Sequence, residues 1–238
     1  MLRWLIAGFW MLAVLLAGIA HADEAAVRQA FAKKFPQVAL ESVAPTPFAG
    51  IYEIVFGGKI AYTDEKLSFV LIGNLFDLRG SERRNLTQER NAELAAKTLR
   101  ESRELAVKRV RGNGKRVLYT FEDPNCSYCR RLQKELLKLS DVTIYTFLWP
   151  ILSPDSVEKS KAVWCAKDRG KAWDDLMTSG IAPQNDGKCP TPLEKNHELA
   201  QRFGIQGTPA VYIADGHQIG GYVAADKLEQ ALLSASSK

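Results

Sequence analysis

The sequence predicts an α+β protein with a small β-rich N-terminal domain, a linker helix and a C-terminal α/β domain that carries a helical insertion. Three observations support this prediction. Short apolar runs rich in β-branched and aromatic residues fill residues 51–80, a charged stretch of helix formers covers residues 85–110, and a strand-helix-strand pattern begins at Arg116. We expect the N-terminal domain to span residues 23–82, the linker helix residues 83–110 and the C-terminal domain residues 111–238.

Residues 1–22 have the form of a secretory signal peptide and are set apart from the fold. Arg3 supplies a positive charge, an apolar run follows, and Ala20-His21-Ala22 matches an A-x-A cleavage site. A membrane-spanning helix is the alternative, but the run is short for a span of about 20 residues. Cleavage after Ala22 would leave 216 of the 238 residues, enough for one large or two small domains.

The N-terminal domain is predicted to contain one helix and an antiparallel meander. Apolar residues at helical spacing favour a helix over residues 25–35, and Pro36 ends it. Four strand-like runs follow, IYEIVF, KIAYT, LSFVLIG and LFDLRG, with turns at Gly57-Gly58 and Asp64-Glu65. A unit of about 60 residues is marginally stable alone, so we expect it to associate through a sheet edge.

The stretch over residues 85–110 is predicted to be an exposed helix. It combines many charges with a thin apolar stripe, and opposite charges fall four residues apart, as in Glu93 and Lys97. A mostly solvated helix between two compact regions acts as a semi-rigid spacer. We therefore expect this helix to link the two domains.

The C-terminal domain begins with a predicted β-α-β unit, in which two strands, over residues 116–121 and 142–149, flank a helix over residues 126–139. Helical patterns then continue to about residue 204, and two short strands and a terminal helix close the chain. Strand, helix, strand, helical insertion, hairpin and helix is the element order of a thioredoxin fold with inserted helices.

The net charge of +5 is too small and too dispersed to indicate binding to nucleic acid. The basic runs SERRN and VKRVRGNGKR lack the interleaved aromatic residues that would support such binding. We interpret them as solvated faces.

Export bears on the four cysteines, because an oxidising compartment lets disulfides form and persist. Cys126, Cys129, Cys165 and Cys189 allow three pairings, and the sequence does not choose among them. They are too sparse for a disulfide-stapled miniprotein, so we expect the fold to depend on its hydrophobic cores.

Cys126 and Cys129 form a C-x-x-C pair where a helix is predicted to begin, which favours redox chemistry. The first helical turn offers unpaired N–H groups and the positive end of the helix dipole, which stabilise a thiolate at Cys126. Cys129 lies one turn further on and can attack a mixed disulfide. A zinc site, which would need four ligands, and a plain structural disulfide stay open as alternatives. Glu122 and Asp123, just upstream, either influence proton transfer at Cys129 or are carboxylates at a strand end that are solvated or act as caps.

Three segments resemble the bacterial periplasmic disulfide isomerases of the DsbC/DsbG family, and the resemblance is closer to DsbC. YTFEDPNCSYCRRL resembles the active-site segment, and AVWCAKDRGKAWDDLM resembles the segment around the third cysteine of DsbC proteins. FGIQGTPAVYIADG is similar to the cis-proline loop and the strand after it. The resemblance covers essentially the whole mature chain and implies a cystatin-like dimerisation domain followed by a thioredoxin-like catalytic domain.

The resemblance also implies roles for individual residues. Cys126 is the nucleophile, Cys129 is the resolving cysteine, and Pro209 is a cis-proline after Thr208. An X-Pro bond adopts the cis form at little cost, and its turn would expose the Thr208 backbone to pair with an extended substrate.

The remaining two cysteines and the dipeptide inside the C-x-x-C pair complete the expected site. Cys165 and Cys189 match a pair that forms a structural disulfide in DsbC-type proteins. Ser127-Tyr128, in the active-site loop, departs from the Gly-Tyr or Pro-Tyr that the family more often has. Because these two residues help to set the reduction potential, that potential is not carried over from the family.

The predicted function is that of a periplasmic, homodimeric thiol:disulfide interchange protein that isomerises wrongly paired disulfides in exported proteins, with chaperone activity. The resemblance implies a membrane electron donor resembling DsbD, and no metal, organic cofactor or nucleic acid is expected. Three alternatives stay open: a dithiol oxidase of the DsbA kind, a DsbG-like reductase of oxidised single cysteines, and a holdase without redox turnover.

Overall fold

The computed structural model describes residues 23–236, and the predicted signal peptide lies outside them. The chain divides into two compact units, with the boundary between Gln88 and Glu89. Within residues 23–236, no helix is both long enough and apolar enough to cross a membrane.

The first unit packs one helix against a three-stranded antiparallel sheet. Residues 23–34 are helical (α1), and the strands β1 (Leu40–Pro45), β2 (Tyr52–Phe56) and β3 (Lys59–Thr63) pair in that order. A separate short pair consists of β4 (Phe76–Asp77) and β5 (Arg84–Asn85). Buried apolar side chains from the helix, the sheet and the segment after it form the core: Val27, Phe31, Val43, Tyr52, Ile54, Ala61 and Leu67.

The predicted meander is only partly present in this unit. IYEIVF and KIAYT contain β2 and β3, and Gly57 and Gly58 have the positive φ that their turn requires. The prediction that LSFVLIG is a strand is wrong. This run joins the sheet only through one bridge between Tyr62 and Leu71, and Leu67 at its start has a φ of 53°, outside the range of a strand.

Two other parts of the meander also differ from the prediction. LFDLRG contributes only the two residues of β4. Strand β1, with the sequence LESVAP, is not indicated by the pattern because polar residues interrupt it and a proline ends it. Its partner β2 supplies the apolar face that holds it in place.

The second unit is a five-stranded sheet with the strand order β10-β9-β7-β8-β6. Only β7 and β8 are parallel, and they are joined through α3 in the predicted β-α-β unit. The strands are β6 (Val107–Arg111), β7 (Arg116–Glu122), β8 (Val142–Leu148), β9 (Ala210–Ile213) and β10 (Gln218–Gly220). The helices are α2 (Leu86–Glu101), α3 (Ser127–Leu136), α4 (Pro154–Trp164), α5 (Arg169–Ser179), α6 (Leu193–Arg202) and α7 (Ala225–Ser236).

Successive side chains along each strand point to opposite faces of the sheet, so they pack into two separate cores. Tyr119 and its neighbours of the same parity pack with residues of α2 and α6. Leu118 and its neighbours face the other way and pack with Leu132 and Leu136 of α3 and with α7. This burial fixes α3 against the sheet and so fixes the position of the residue that precedes it, Cys126.

The predicted linker helix over residues 85–110 is wrong in its C-terminal part. Helix α2 ends at Glu101, and Val107–Arg111 is strand β6, paired antiparallel with β8. Val107 and Arg109 are buried while Lys108 and Val110 are exposed, which is the alternation of an edge strand.

The helix is also less solvated than predicted. Ala92, Ala96 and Leu99 are at most 6% exposed. Gly216, in the turn between β9 and β10, lies so close to this alanine face that a Cβ there would overlap the backbone of Ala92. The small side chains therefore serve close packing between the helix and the hairpin, which the composition of the helix alone did not indicate.

Candidate active site

Cys126 lies at the N-cap of α3, at the end of the turn that follows β7. Its backbone is extended, with φ −73° and ψ 118°, and its sulfur accepts a hydrogen bond from the backbone N–H of Cys129 at 3.3 Å. A side-chain acceptor at this position pairs one of the N–H groups that the first turn leaves without an intrahelical partner. Cys126 therefore takes the place of a capping residue, with its sulfur at the positive end of the helix dipole.

The two thiols have opposite environments. Both cysteines are free, Cys126 is 6% exposed, and Cys129 is completely buried. Hydrogen bonding from Cys129 lowers the pKa of the Cys126 thiol to about 5, although partial burial acts in the opposite direction. Burial raises the pKa of Cys129 well above its ordinary value, and the nearby Glu122 charge adds to this effect. One sulfur is thus a stabilised thiolate and the other a protonated thiol.

The Thr208-Pro209 peptide bond is cis and lies beside the reactive sulfur. The Cys126 sulfur lies 3.4 Å from the carbonyl oxygen of Thr208, to which it can donate a hydrogen bond only in its protonated form. This proximity follows from the sheet, because β9 begins at Ala210, which pairs with Phe121 near the end of β7. The predicted C-x-x-C pair and the predicted cis-proline loop therefore meet at one edge of the sheet.

Ser127 and Tyr128 lie on the outer surface of the first turn of α3. Both are exposed, and 54% of Tyr128 is accessible.

Asp123 is fully buried and connects the active-site turn to the segment before α4. Its carboxylate accepts hydrogen bonds from the backbone N–H groups of Ile151 and Leu152, and from the Ser156 hydroxyl. It also accepts the backbone N–H of Asn125 at 2.7 Å. A solvated carboxylate is therefore the wrong expectation for this residue, whereas the capping alternative agrees with its contacts, which hold the turn before Cys126.

Glu122 is also fully buried, on the inner side of α3. Gln133, four residues after Cys129 on the same helix face, donates to both of its carboxylate oxygens at 2.9 and 2.7 Å. Thr120 donates at 2.7 Å. Burial raises the pKa of Glu122, while the charge of Arg109 and these hydrogen bonds act to lower it.

Arg109 on β6 completes this polar network. Its guanidinium donates to Gln133 at 2.5 Å, to Thr146 at 2.7 Å and to Asp174 at 2.8 Å, and its side chain is only 4% exposed. Sequence reasoning did not single out Arg109, because it lies in a run of basic residues that resembles a solvated face. The sequence VKRVR has no apolar alternation that would distinguish Arg109 from the other basic residues of the run.

Cys165 and Cys189 form a disulfide with their Cα atoms 5.6 Å apart. It joins the end of α4 to the loop before α6. Cys189 packs against the apolar cluster that contains Cys126 and Cys129, and Trp164 beside it donates to the carbonyl of Pro190 at 3.1 Å. The disulfide therefore fastens the helical insertion next to the reactive pair.

A zinc site would need further ligands near the reactive pair. In the part of the chain that the structure describes, no three side chains of the His, Cys, Asp and Glu types are grouped as a metal ion would require.

Two family models match the chain, one for each unit. The model described as "Disulfide bond isomerase protein N-terminal domain" matches residues 18–88, and the model described as "Thioredoxin-like domain" matches residues 103–236. The predicted fold class, a small β-rich N-terminal domain followed by a thioredoxin-like domain, is thereby confirmed.

Curated relatives match over most of the chain. The protein from Bordetella parapertussis described as "Probable thiol:disulfide interchange protein DsbC" is 40% identical over 208 residues, which cover 87% of this chain and 73% of that protein. The "Thiol:disulfide interchange protein DsbC" of Escherichia coli K12 is 28% identical over 232 residues, 94% of each chain.

A solved structure is similar to part of the chain. The crystal structure of a disulfide interchange protein from Neisseria gonorrhoeae has a TM-score of 0.54 and 39% identity, and the match covers 56% of this chain and 96% of that one. Together with the two domain matches and the relatives above, this likeness shows that the chain belongs to the DsbC family of thiol:disulfide interchange proteins.

Proposed function

We propose that this protein is an exported disulfide isomerase in which Cys126 attacks and Cys129 resolves. The observation that carries the proposal is the difference between the two sulfurs. Cys126 is 6% exposed and has a pKa lowered to about 5, whereas Cys129 is completely buried and has a raised pKa. Because the thiolate is the nucleophile, the two cysteines have unequal tasks.

The reaction begins when the Cys126 thiolate attacks one sulfur of a substrate disulfide. A Cys126-substrate disulfide forms, the substrate bond breaks, and the other substrate sulfur leaves as a thiolate. A different substrate thiolate can then displace Cys126, which completes isomerisation with no net redox change. Alternatively Cys129 loses its proton and displaces the substrate, which leaves the substrate reduced and the Cys126–Cys129 pair oxidised.

Thr208 is proposed to orient the substrate during this attack. It lies in the loop before β9, within 3.4 Å of the reactive sulfur, and it is only partly buried. An extended peptide that pairs with its backbone would bring a substrate cysteine to Cys126. Ser127 and Tyr128 would contact the same peptide from the helix side.

The protein is proposed to act as a homodimer through its first unit. The segment after β3 exposes a row of large apolar side chains, with Leu71 53% and Ile72 69% exposed, and only one bridge connects it to the sheet. An exposed apolar segment beside an open sheet edge is suited to pairing with a second copy.

Sedimentation equilibrium of the full chain tests the dimer. Ile72→Asp is expected to convert a dimer to a monomer, because it places a charge in the proposed interface. Leu233→Asp is the matched control, since Leu233 is 63% exposed on α7 and lies outside that segment. A wild-type protein that sediments as a monomer, or an Ile72→Asp variant that stays dimeric, contradicts the proposed interface.

Export to the periplasm and cleavage after Ala22 are also proposed, on the pattern of residues 1–22. Sequencing the N-terminus of the protein recovered from a periplasmic fraction tests both, and Asp23 is the expected first residue. An electron donor resembling DsbD is proposed because isomerisation needs Cys126 as a free thiolate. Thiol trapping in intact cells would then find the pair mainly reduced. Chaperone activity stays a prediction.

Refolding of scrambled ribonuclease tests the central proposal. The reduced protein is expected to restore ribonuclease activity, and Cys126→Ser is expected to restore none beyond the uncatalysed rate. Cys129→Ser should keep part of the isomerase activity, because substrate thiolates can still displace Cys126. If Cys126→Ser performs as well as the wild type, the proposal is wrong and binding without redox turnover becomes the better account.

A further inference from the structure

An exposed arginine lies between two exposed tyrosine rings next to the reactive pair. The guanidinium carbon of Arg131 is 5.5 Å from the ring centroid of Tyr128 and 6.0 Å from that of Tyr222. Tyr128 is 54% and Tyr222 is 44% exposed. Both distances are within the range in which a cation is attracted to an aromatic face. The two rings thus hold an otherwise flexible cation in one region.

The guanidinium of Arg131 has no carboxylate partner among the described residues. Glu135, four residues further along α3, is the natural helical partner for a cation at position 131. Its carboxylate instead pairs with Lys138 at 2.8 Å and accepts the backbone N–H of Ala225 at 3.0 Å. Ring contacts do not use the N–H donors of a guanidinium, so those of Arg131 stay available to a ligand.

Arg131 lies in the first turns of α3, the helix that begins directly after Cys126. Side chains on a helix point back towards its N-terminus, so Arg131 reaches over the turn that contains Tyr128, which is the turn that follows Cys126. Tyr222 follows Gly221, and a Cβ on that glycine would lie 3.1 Å from the carbonyl oxygen of Pro209. The two rings therefore flank the edge where the thiolate meets the cis-proline loop.

We propose that Arg131, held by Tyr128 and Tyr222, binds an acidic side chain of the substrate polypeptide close in sequence to the cysteine under attack. A guanidinium matches a carboxylate with two parallel N–H donors, and its confinement between two rings reduces the entropy that such a pair loses on forming. Substrates with Asp or Glu beside the cysteine would then be selected over neutral ones. The inference rests on the proposed function, because it adds a substrate preference to the same site.

The test compares two peptides that differ in one residue, glutamate or glutamine, next to a cysteine carrying a 2-thiopyridyl disulfide. The Cys126 thiolate forms a disulfide with the peptide and displaces 2-thiopyridone, whose absorbance gives the rate. At low ionic strength the wild type is expected to react about fivefold faster with the glutamate peptide, as one partly exposed ion pair allows. Arg131→Gln is expected to bring this ratio to about one.

Two controls make the ratio interpretable. Arg130→Gln removes the same charge from the neighbouring position, whose guanidinium lies 3.4 Å from the carbonyl of Pro124, and it should keep the preference. A change in the reactivity of Cys126 affects both peptides equally and so cancels in the ratio. Arg131→Lys, which keeps the charge but not the planar donors, should keep only part of the preference.

A wild-type ratio near one overturns the inference, and so does a ratio that survives Arg131→Gln or is lost equally in Arg130→Gln. In each of these cases thiopyridone is still released and the proposed function stands. If the wild type releases no more thiopyridone than Cys126→Ser from either peptide, the proposed function fails and the inference fails with it.

Discussion

Replacing Cys129 with alanine is expected to raise the pKa of the Cys126 thiol. This pKa is lowered to about 5, and the hydrogen bond from the Cys129 side chain makes the largest contribution. Hydrogen bonds with Thr208 and with the backbone N–H groups of Cys129 and Tyr128 contribute less. A hydrogen bond to a charged group is worth about 1.5–3 kcal/mol, and each 1.36 kcal/mol corresponds to one pH unit. The titration midpoint of Cys126 should therefore move up by roughly one to two pH units.

The rate of alkylation by iodoacetamide across the acid and neutral range measures this change. The thiolate is the reacting species, so the rate is constant above the folded-state pKa and falls as pH drops through it. Wild-type protein should have its midpoint at about pH 5. Cys129→Ser is the matched control, because its hydroxyl retains a donor of similar position and should keep the midpoint nearer to that of the wild type.

Two results would refute this reasoning. A wild-type midpoint near the ordinary thiol value of about 8.5 would mean that the N-cap position does not stabilise the thiolate. Equal midpoints for wild type and Cys129→Ala would mean that the backbone N–H groups alone lower the pKa, with no contribution from the second thiol.

Further predictions concern the stability of the second unit, measured by urea unfolding. Gly216→Ala should cost roughly 2–4 kcal/mol, because the new Cβ meets the backbone of α2 at a positive φ of 86°. Gly180→Ala, in the same unit at φ 73°, has open space and should cost only about 1–2 kcal/mol. Arg109→Met should destabilise the fold by about 2–4 kcal/mol and raise the pKa of the buried carboxylate on β7, observable by carboxyl NMR titration; an unchanged pKa would show that the cation does not act on that group. Replacing Cys165 and Cys189 together by serine opens a 24-residue separation and should cost about 3 kcal/mol without changing the alkylation midpoint of the active site.

The placement of the reactive groups could be predicted because each depends on local chemistry. When a C-x-x-C pair follows a strand and begins a helix, the first helical turn by itself lowers the pKa of the first cysteine. Thr208-Pro209 is identified as the cis-proline loop through the family resemblance, and the low cost of a cis X-Pro bond agrees with that role. The adjacent Ser127 and Tyr128 followed from the same turn.

The supporting residues could not be predicted because they depend on which elements meet. Val107–Arg111 reads as part of a charged helix until β8 supplies five pairs of partners, and only then is Arg109 turned into the interior. Glu122 is at a strand end, where carboxylates are usually solvated. Its burial depends on Gln133 reaching it from α3, which is a tertiary contact that no spacing in the sequence encodes.

In the proposed mechanism, the low pKa of Cys126 has a larger effect when its thiolate leaves a mixed disulfide than when it attacks a substrate disulfide. At pH 7, lowering a thiol pKa from about 8.5 to about 5 raises the thiolate fraction roughly 30-fold, but a Brønsted coefficient of about 0.4–0.5 lowers its nucleophilicity by a similar factor. The rate of attack is therefore little changed.

A thiol of low pKa does leave faster from a mixed disulfide, because its thiolate is the more stable leaving group. In the proposed mechanism, burial is the largest cause of the raised pKa of Cys129 and keeps this thiol mostly protonated, so its attack on that disulfide is slow. Substrate thiolates then have time to displace Cys126 before Cys129 does. The opposite pKa shifts of two sulfurs on one helical turn thus favour exchange among substrate cysteines over net reduction, which is the balance that isomerisation requires.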